Sequence, residues 1–108
     1  MSDELPATAV VRVSRGNFDP ARFTEVARAN RETEAYLVPA IQRLPGLIHY
    51  FATLSPSGSS VHVSVWESDA HAQQMGRLRE MIVDARQAFE SAGVEFTPII
   101  NYPVSWTT

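Results

Sequence analysis

Residues 47–66, LIHYFATLSPSGSSVHVSVW, decide the fold of this chain. Both ends of the stretch are rich in the β-branched and aromatic residues that favour strands, and the Ser-, Pro- and Gly-containing middle favours a turn. The stretch therefore predicts a β-hairpin, with one strand over residues 47–54 and the next over residues 61–66.

The segment before the hairpin predicts a strand and a helix. A strand is expected over residues 8–13, followed by a turn at Gly16-Asn17. A helix should begin at Asp19-Pro20, because an aspartate accepts bonds from the first turn and a proline has no N–H to lose there. Pro39 should kink this helix or split off its last turn, and Pro45-Gly46 should end it.

The segment after the hairpin predicts a second helix and a last strand. Ser68 or Asp69 caps the helix, whose apolar residues recur at spacings of three and four up to Phe89. Gly93 supplies the left-handed position at which helices often end, and a strand follows over residues 94–102.

The order βαββαβ predicts an α+β, ferredoxin-like fold, in which a four-stranded antiparallel sheet carries both helices on one face. We expect one domain over residues 1–108, with an ordered core of about residues 7–102. The other face of the sheet would be left bare and partly apolar, which predicts a homodimer that forms a dimeric α/β barrel.

Composition argues against several classes of function. The formal charge is −3 and there is no cluster of Lys or Arg, so neither nucleic acid nor an anionic membrane is an expected partner. The chain has no cysteine, and its three histidines form no HxH or HExxH pair, so we expect no metal site. No phosphate-binding glycine loop or dinucleotide motif occurs, so no cofactor is expected.

The acidic stretch Met1–Thr8 does not resemble a signal peptide and no run of about 18 apolar residues occurs, which leads us to expect a cytoplasmic protein.

Alternation along the strands predicts which side chains face the bare side of the sheet. Val61, Val63 and Val65 form an apolar set that should pack under the helices. The bare face should then collect the alternate residues of each strand, among them Val10, Arg12, His49, Phe51, His62, Ser64 and Trp66, with Asn101 or Tyr102 from the last strand. A bulge of one residue in the strand over 47–54 would reverse its assignment.

This set combines aromatic rings, polar groups and one fixed positive charge, which suits a flat phenolic or partly anionic molecule. His62 is the first candidate for proton transfer, because a histidine titrates near neutral pH. Other interpretations remain open: Arg12 pairing with a carboxylate across a dimer contact, Trp66 plugging the end of the barrel, and His62 as a satisfied polar residue. Tyr36 and Tyr50 are expected to be packing residues.

Two segments resemble the antibiotic biosynthesis monooxygenase family of dimeric α/β barrels: LPGLIHY at residues 44–50 and VSVWESDAH at residues 63–71. In that family a Pro-Gly turn and a Trp-Glu-Ser step mark the same junctions, and the order of elements matches over about residues 8–102. The resemblance implies a cofactor-independent monooxygenase, in which an aromatic, phenolic or quinol-like substrate loses a proton and reacts with oxygen directly. Trp66 would stack on the substrate, Arg12 would stabilise the phenolate, and His62 or His49 would accept the proton.

Two other functions stay open. The first is a non-catalytic dimer that binds small molecules or serves in stress, because the superfamily is functionally mixed. The second is haem binding, which the sequence disfavours: haem-degrading relatives carry a tryptophan and a histidine in the second helix, and residues 72–85 contain neither.

Overall fold

The computed structural model describes residues 5–108 and has the predicted α+β architecture. Two 3-10 turns, Pro20–Arg22 and Gln73–Arg77, and one π-helical segment, Glu80–Ala85, accompany the regular elements. In chain order these elements are β1 (Val10–Asn17), α1 (Phe23–Gln42), β2 (Leu47–Ser55), β3 (Ser59–Trp66), α2 (Asp69–Ala72), α3 (Arg86–Ser91), β4 (Glu95–Phe96) and β5 (Ile100–Pro103).

The sheet is antiparallel, and β1 lies at its centre. The strands follow the order β2-β3-β1-β4, and β5 also pairs with β1. This is the predicted ferredoxin-like arrangement, except that the last strand is divided into two short pieces. Pro98 lies between the two pieces and has no N–H to donate to a ladder, which accounts for the interruption.

The first strand continues through the residues that the sequence predicted as a turn. Gly16 pairs with Ser60 on one side and with Phe96 on the other. A Cβ atom at Gly16 would lie 2.5 Å from the Val94 Cγ1 atom, which is too close for a real side chain. Gly16 therefore serves close packing within a strand, and the predicted strand end was wrong.

The first helix begins as predicted but does not divide at its proline. The Asp19 carboxylate accepts a hydrogen bond of 2.9 Å from the Ala21 backbone N–H. Helix α1 then runs through Pro39 to Gln42, so the expected split is absent. Leu37 and Ile41, which flank Pro39, are both buried, and this packing holds the last turn in register.

The second predicted helix is broken into several segments. The Ser68 hydroxyl caps α2 as expected, and Gly93, with φ of 101°, follows the end of α3. Between them Leu78 is extended, with φ −82° and ψ 110°, and a π-helical segment follows. The apolar spacing correctly indicated the inner face, on which Met75 and Phe89 are buried, but it could not show how the backbone hydrogen bonds are arranged.

The core consists of two apolar clusters between the sheet and the helices. Trp66, Leu37 and Met75 centre one cluster, and Val26, Phe89 and Val94 centre the other. Polar residues of β1 and β3 lie between the two clusters along the sheet, and several of them line the cavity described below.

The two faces of β1 and β3 are the reverse of those predicted. Trp66 is fully buried among residues of α1 and of the second helical region, which we define as residues 69–91. Its face of β3 is therefore the one that the helices cover. Paired strand residues share a face, and Trp66 pairs with Val10 while Ser64 pairs with Arg12. Val61, Val63 and Val65 therefore lie on the open face, and the placement of Val10, Arg12, His62, Ser64 and Trp66 on that face was wrong.

The second strand contains the bulge that was considered as an alternative. The register with β3 shifts between Leu47 and His49. His49 and Phe51 pair with Val65 and Val63, so they lie on the open face as predicted. Leu47 instead pairs with Trp66 and faces the helices, because the bulge changes its side.

Candidate functional site

A cavity of about 320 Å³ lies between the sheet and the second helical region. Its floor comes from β1, β3 and β4, its roof from the π-helical segment and α3, and one side from residues 97–99. The lining residues are Arg12, Ser14, Ser60, His62, Met81, Ile82, Ala85, Arg86, Phe89, Phe96, Thr97, Pro98 and Ile99.

Arg12 places a positive charge in the wall of this cavity. The residue is only 8% exposed, and its side chain has no hydrogen bond or ion pair within residues 5–108. Burial lowers the pKa of the guanidinium group, which nevertheless stays protonated at neutral pH. A buried charge without a partner is costly, so this wall favours an anionic or electron-rich ligand.

His62 lies beside Arg12 on the neighbouring strand and is bonded to Tyr50. The Nδ1 atom of His62 is 2.7 Å from the Tyr50 hydroxyl oxygen, and the Phe89 ring meets the imidazole edge-on at 5.9 Å between centroids. Burial lowers the pKa of His62 to about 4, so the ring is neutral at pH 7. Burial also raises the pKa of Tyr50, which keeps its proton.

The other nitrogen of His62, Nε2, is left for a ligand. It has no hydrogen-bond partner in the described part of the chain, and it is not among the buried atoms without a partner there. A nitrogen that is open to a cavity and unbonded can accept a proton or donate one, depending on the tautomer. Sequence reasoning took Tyr50 for a packing residue and missed its bond to His62, because the contact joins two strands whose pairing was not known.

The far wall of the cavity contains a second arginine, which sequence reasoning also missed. The Arg86 guanidinium carbon is 5.4 Å from the centroid of the Phe96 ring, and its Nε donates a 3.2 Å hydrogen bond to Glu90. Unlike Arg12, it is half-exposed and already paired. The signal that would have identified this wall is the apolar set Met81, Ala85 and Phe89, which the sequence placed on the inner helix face.

Trp66 and Ser64 do not contribute to the cavity surface. The Trp66 Nε1 atom donates a 2.8 Å hydrogen bond to the Ser64 hydroxyl, and both residues are buried. Because the indole is surrounded by core residues, the stacking position predicted for Trp66 is not available in this structure.

Three of the remaining predicted site residues lie on the opposite face of the sheet from Arg12 and His62. His49, Phe51 and Tyr102 lie on the open face, where Phe51 is 53% and Tyr102 47% exposed. Asn101 pairs with Arg12 across β1 and β5, and its amide donates a 3.2 Å hydrogen bond to Asp69. The structure therefore brings together Arg12 and His62 but places the predicted aromatic residues elsewhere.

The described residues contain no group of three or more His, Cys, Asp or Glu side chains able to hold a metal ion. Over the same part of the chain, no helix combines the length and apolar character needed to cross a membrane.

Solved structures of similar fold cover nearly all of the chain. SnoaB, a cofactor-independent oxygenase from Streptomyces nogalater, is 18% identical with a TM-score of 0.61, and the match covers 94% of this chain and 97% of SnoaB. A "putative antibiotic biosynthesis monooxygenase" from Caulobacter crescentus is 16% identical with a TM-score of 0.69, covering 93% and 92%. A dimeric ferredoxin-like protein from an uncultured marine organism is 12% identical with a TM-score of 0.71, covering 93% and 98%. No family model and no curated protein matches the sequence.

At these identities the likeness establishes the fold, and it agrees with the resemblance carried by residues 44–50 and 63–71. The chain therefore has the ferredoxin-like α+β fold of structures described as antibiotic biosynthesis monooxygenases.

Proposed function

We propose that this protein is a cofactor-independent monooxygenase that oxidises an aromatic, phenolic or quinol-like molecule in the cavity of about 320 Å³. One observation carries the proposal: an unpaired buried guanidinium and a neutral imidazole share one wall of an otherwise largely apolar cavity. The fold of SnoaB, a cofactor-independent oxygenase, supports the same class of reaction.

The cavity provides separate regions for the rings and the hydroxyl of such a substrate. Met81, Phe89 and Ile99 contribute apolar surface on which aromatic rings gain free energy by leaving water. The phenolic oxygen would then lie toward Arg12 and His62, the polar part of the wall. An arginine stabilises the phenolate more than the phenol, so it favours the ionised form.

His62 is the proposed base. For this role the Nδ1–H group must donate to the Tyr50 hydroxyl oxygen, which leaves the lone pair of Nε2 free to accept the substrate proton. An imidazole with a pKa of about 4 is a weak base in the empty cavity. A bound phenolate raises the pKa of His62 by direct attraction, and Arg12 lowers the pKa of the phenol. The two pKa values therefore come closer together when the ligand is bound.

The oxidation requires no reductant beyond the substrate itself. For a phenol with a ring CH2 group, deprotonation gives an electron-rich anion that passes electrons to O2. One oxygen atom forms the new C=O group in place of the two C–H bonds. The other oxygen atom leaves as water with two protons, so the four electrons taken up by O2 all come from the substrate.

The open face of the sheet supports assembly into a homodimer. It carries Val11, Val13, Val61, Val63 and Val65 together with the exposed rings of Phe51 and Tyr102. A continuous apolar patch of this kind is characteristic of a subunit interface. A similar fold is found in a protein described as dimeric. On this proposal the valine face forms the interface and each protomer holds its own cavity.

The reaction is tested by oxygen consumption with polycyclic phenols and quinols, without added cofactor. We expect turnover that falls about 100-fold or more in His62→Gln, the loss typical of removing a catalytic base. His49→Gln is the matched control, because His49 lies on the opposite face of the sheet, and its turnover should stay within about twofold of wild type. Turnover that survives in His62→Gln would rule out His62 as the base. Ligand binding without oxygen consumption would instead support the non-catalytic binding function.

The tautomer of His62 provides an independent test of the base role. Nitrogen NMR of the labelled protein at pH 7 should show a protonated Nδ1 and an unprotonated Nε2. The opposite assignment would make His62 a hydrogen-bond donor to the ligand and exclude it as a base.

A further inference from the structure

A second cavity, of about 370 Å³, lies between α1 and β2, and the function proposed above does not use it. Helix α1 lines it from Asn30 to Gln42 with residues that recur at the helical spacing of three and four, so a single face of the helix forms this wall. Strand β2 forms the facing wall, from Leu47 to Ala52. The two elements together enclose an elongated site.

The two cavities have linings of opposite charge. Arg12 and Arg86 line the first, and no Asp or Glu is among its described lining residues. In the described lining of the second, Glu34 is the single residue of the types Asp, Glu, Lys and Arg. Glu34 has no ion pair or hydrogen bond within residues 5–108. The second cavity therefore favours a cation, whereas the first disfavours one.

Three hydrogen-bond acceptors lie together at the Glu34 end of the second cavity. Asn30, Thr33 and Glu34 share one face of α1, and Thr33 is fully buried. The Thr33 hydroxyl donates a 3.2 Å hydrogen bond to the Asn30 backbone carbonyl, so its oxygen is left to accept. The Asn30 amide can present its oxygen, and the Glu34 carboxylate can only accept. A primary ammonium group has three N–H donors, so this end offers one acceptor for each of them.

The opposite end of the second cavity is apolar inside. Strand β2 begins a few residues after α1 ends, and Leu47 packs with Ile41 in one core cluster. Gln42 and His49 also line this end, but both are exposed, so their polar groups can remain in water. The helix rises about 12 Å from Glu34 to Gln42, roughly the length of an extended eight-carbon chain.

We propose that the second cavity binds a primary amine that carries an apolar chain, with its ammonium group at Glu34 and its chain between Ile41 and Leu47. The inference is independent of the reaction proposed for the first cavity. Glu34 is exposed, and an exposed ion pair adds little affinity. Burial of the chain therefore supplies most of the affinity, and Glu34 selects the charge of the ligand.

The test compares two probes with the same chain length, octylamine and octanoate, by calorimetry at pH 7. The wild-type protein should bind octylamine about tenfold more tightly, because Glu34 attracts one head group and repels the other. In Glu34→Gln this ratio should fall to about threefold or less, and Glu34→Lys should favour octanoate. Trimethyloctylammonium keeps the charge but has no N–H donor, so it should bind about threefold more weakly than octylamine.

Glu32→Lys is the matched control for charge. Glu32 is exposed on α1 and lines neither cavity, so the variant has the same net charge as Glu34→Lys without a change in the lining. Its ratio should stay within about twofold of wild type.

The location is tested by filling the cavity. Ala52→Trp should weaken octylamine binding about tenfold or more, because the new ring occupies the space of the chain. Ala35→Trp, at an exposed position of α1 outside both cavities, should leave the affinity unchanged.

The inference is overturned if the wild-type protein does not bind octylamine. It is also overturned if Glu34→Gln and Glu34→Lys, folded by circular dichroism, keep the wild-type ratio, or if Ala52→Trp keeps the wild-type affinity for octylamine. None of these measurements uses oxygen or a phenol, so failure of the proposed reaction would leave their outcome unchanged.

Discussion

The two faces of the sheet carry side chains of opposite character. In the middle of the sheet, the helix-covered face carries Arg12, His62 and Ser64, whereas the open face carries Val13, Val61 and Val63. The usual expectation is apolar residues inside and polar residues outside. The polar residues inside the protomer line a cavity, and the apolar residues outside form the face that we propose as the subunit interface.

The covered face is divided along its length. Apolar packing closes both ends, around Trp66 at one end and around Phe89 and Val94 at the other. The polar residues occupy the stretch between these clusters, where the side chains do not fill the space. A site built in this way is held by rigid packing on two sides, which suits the positioning of a ligand.

Of the changes that test the difference between the two faces, a charge placed on the open face should have the largest effect, and it should act on the affinity of the dimer. Val63→Glu would bury a carboxylate in the proposed interface, and burying an unpaired ion costs several kcal/mol. We expect dimer affinity to fall by about 4 kcal/mol, or roughly a thousandfold, as measured by light scattering over a dilution series. Val83→Glu is the control at an exposed valine outside the sheet, and its dimer affinity should equal that of the wild type. A Val63→Glu protein that remains dimeric would exclude the valine face as the interface.

Removing the charge from the covered face should affect binding and stability in opposite directions. Arg12→Met is expected to weaken phenol binding by about 2 kcal/mol, or roughly thirtyfold, because a charged contact is lost. The same change should raise the free energy of unfolding by roughly 1 kcal/mol, because an unpaired buried cation is removed. Calorimetry and denaturant unfolding measure the two effects. Arg31→Met, at an exposed position on α1 that lines neither cavity, should change neither by more than about 0.5 kcal/mol. A fall in stability for Arg12→Met would show that the guanidinium is not unpaired in solution.

Taken over one pH unit, the titration of His62 should give a smaller effect than the loss of phenol binding in Arg12→Met, and it distinguishes a buried from an exposed ring. The pKa of His62 is about 4 in the folded protein against an ordinary value of 6.5, so the unfolded chain binds the proton more strongly. The free energy of unfolding should therefore fall by about 1.4 kcal/mol per pH unit as the pH drops from about 6.5 to about 4. His62→Gln should remove this slope, whereas His49→Gln should retain it. An identical pH dependence in wild type and His62→Gln would show that the ring is solvated in the folded state.

Local signals predicted most of the fold. The cap at Asp19, the hairpin over residues 47–66 and the helix end at Gly93 all depend on interactions within a few residues, and all were confirmed. The errors occur where distant packing overrides a local preference. Gly16 is required by Val94 from the other end of the chain, and Pro39 remains helical because its neighbours are buried.

The candidate site was predicted only in part. Arg12 and His62, two of the predicted site residues, line one cavity, but the prediction placed them on the wrong face of the sheet. The bond of Tyr50 to His62 and the position of Arg86 in the cavity wall were not predicted, because each depends on a contact between separate elements.

The sequence by itself determined the order of the elements and which residues alternate on each strand. Only the tertiary structure decided which of the two alternating sets the helices cover. The physical reason is that side chains alternate along a strand, so the sequence sorts them into two sets, one for each face. The spacing within both sets is the same, so it does not show which set the helices cover. The choice between them depends on which side the crossovers pack and on the bulge between Leu47 and His49. In this chain the helices cover the polar set of β1 and β3 and leave the valine set open.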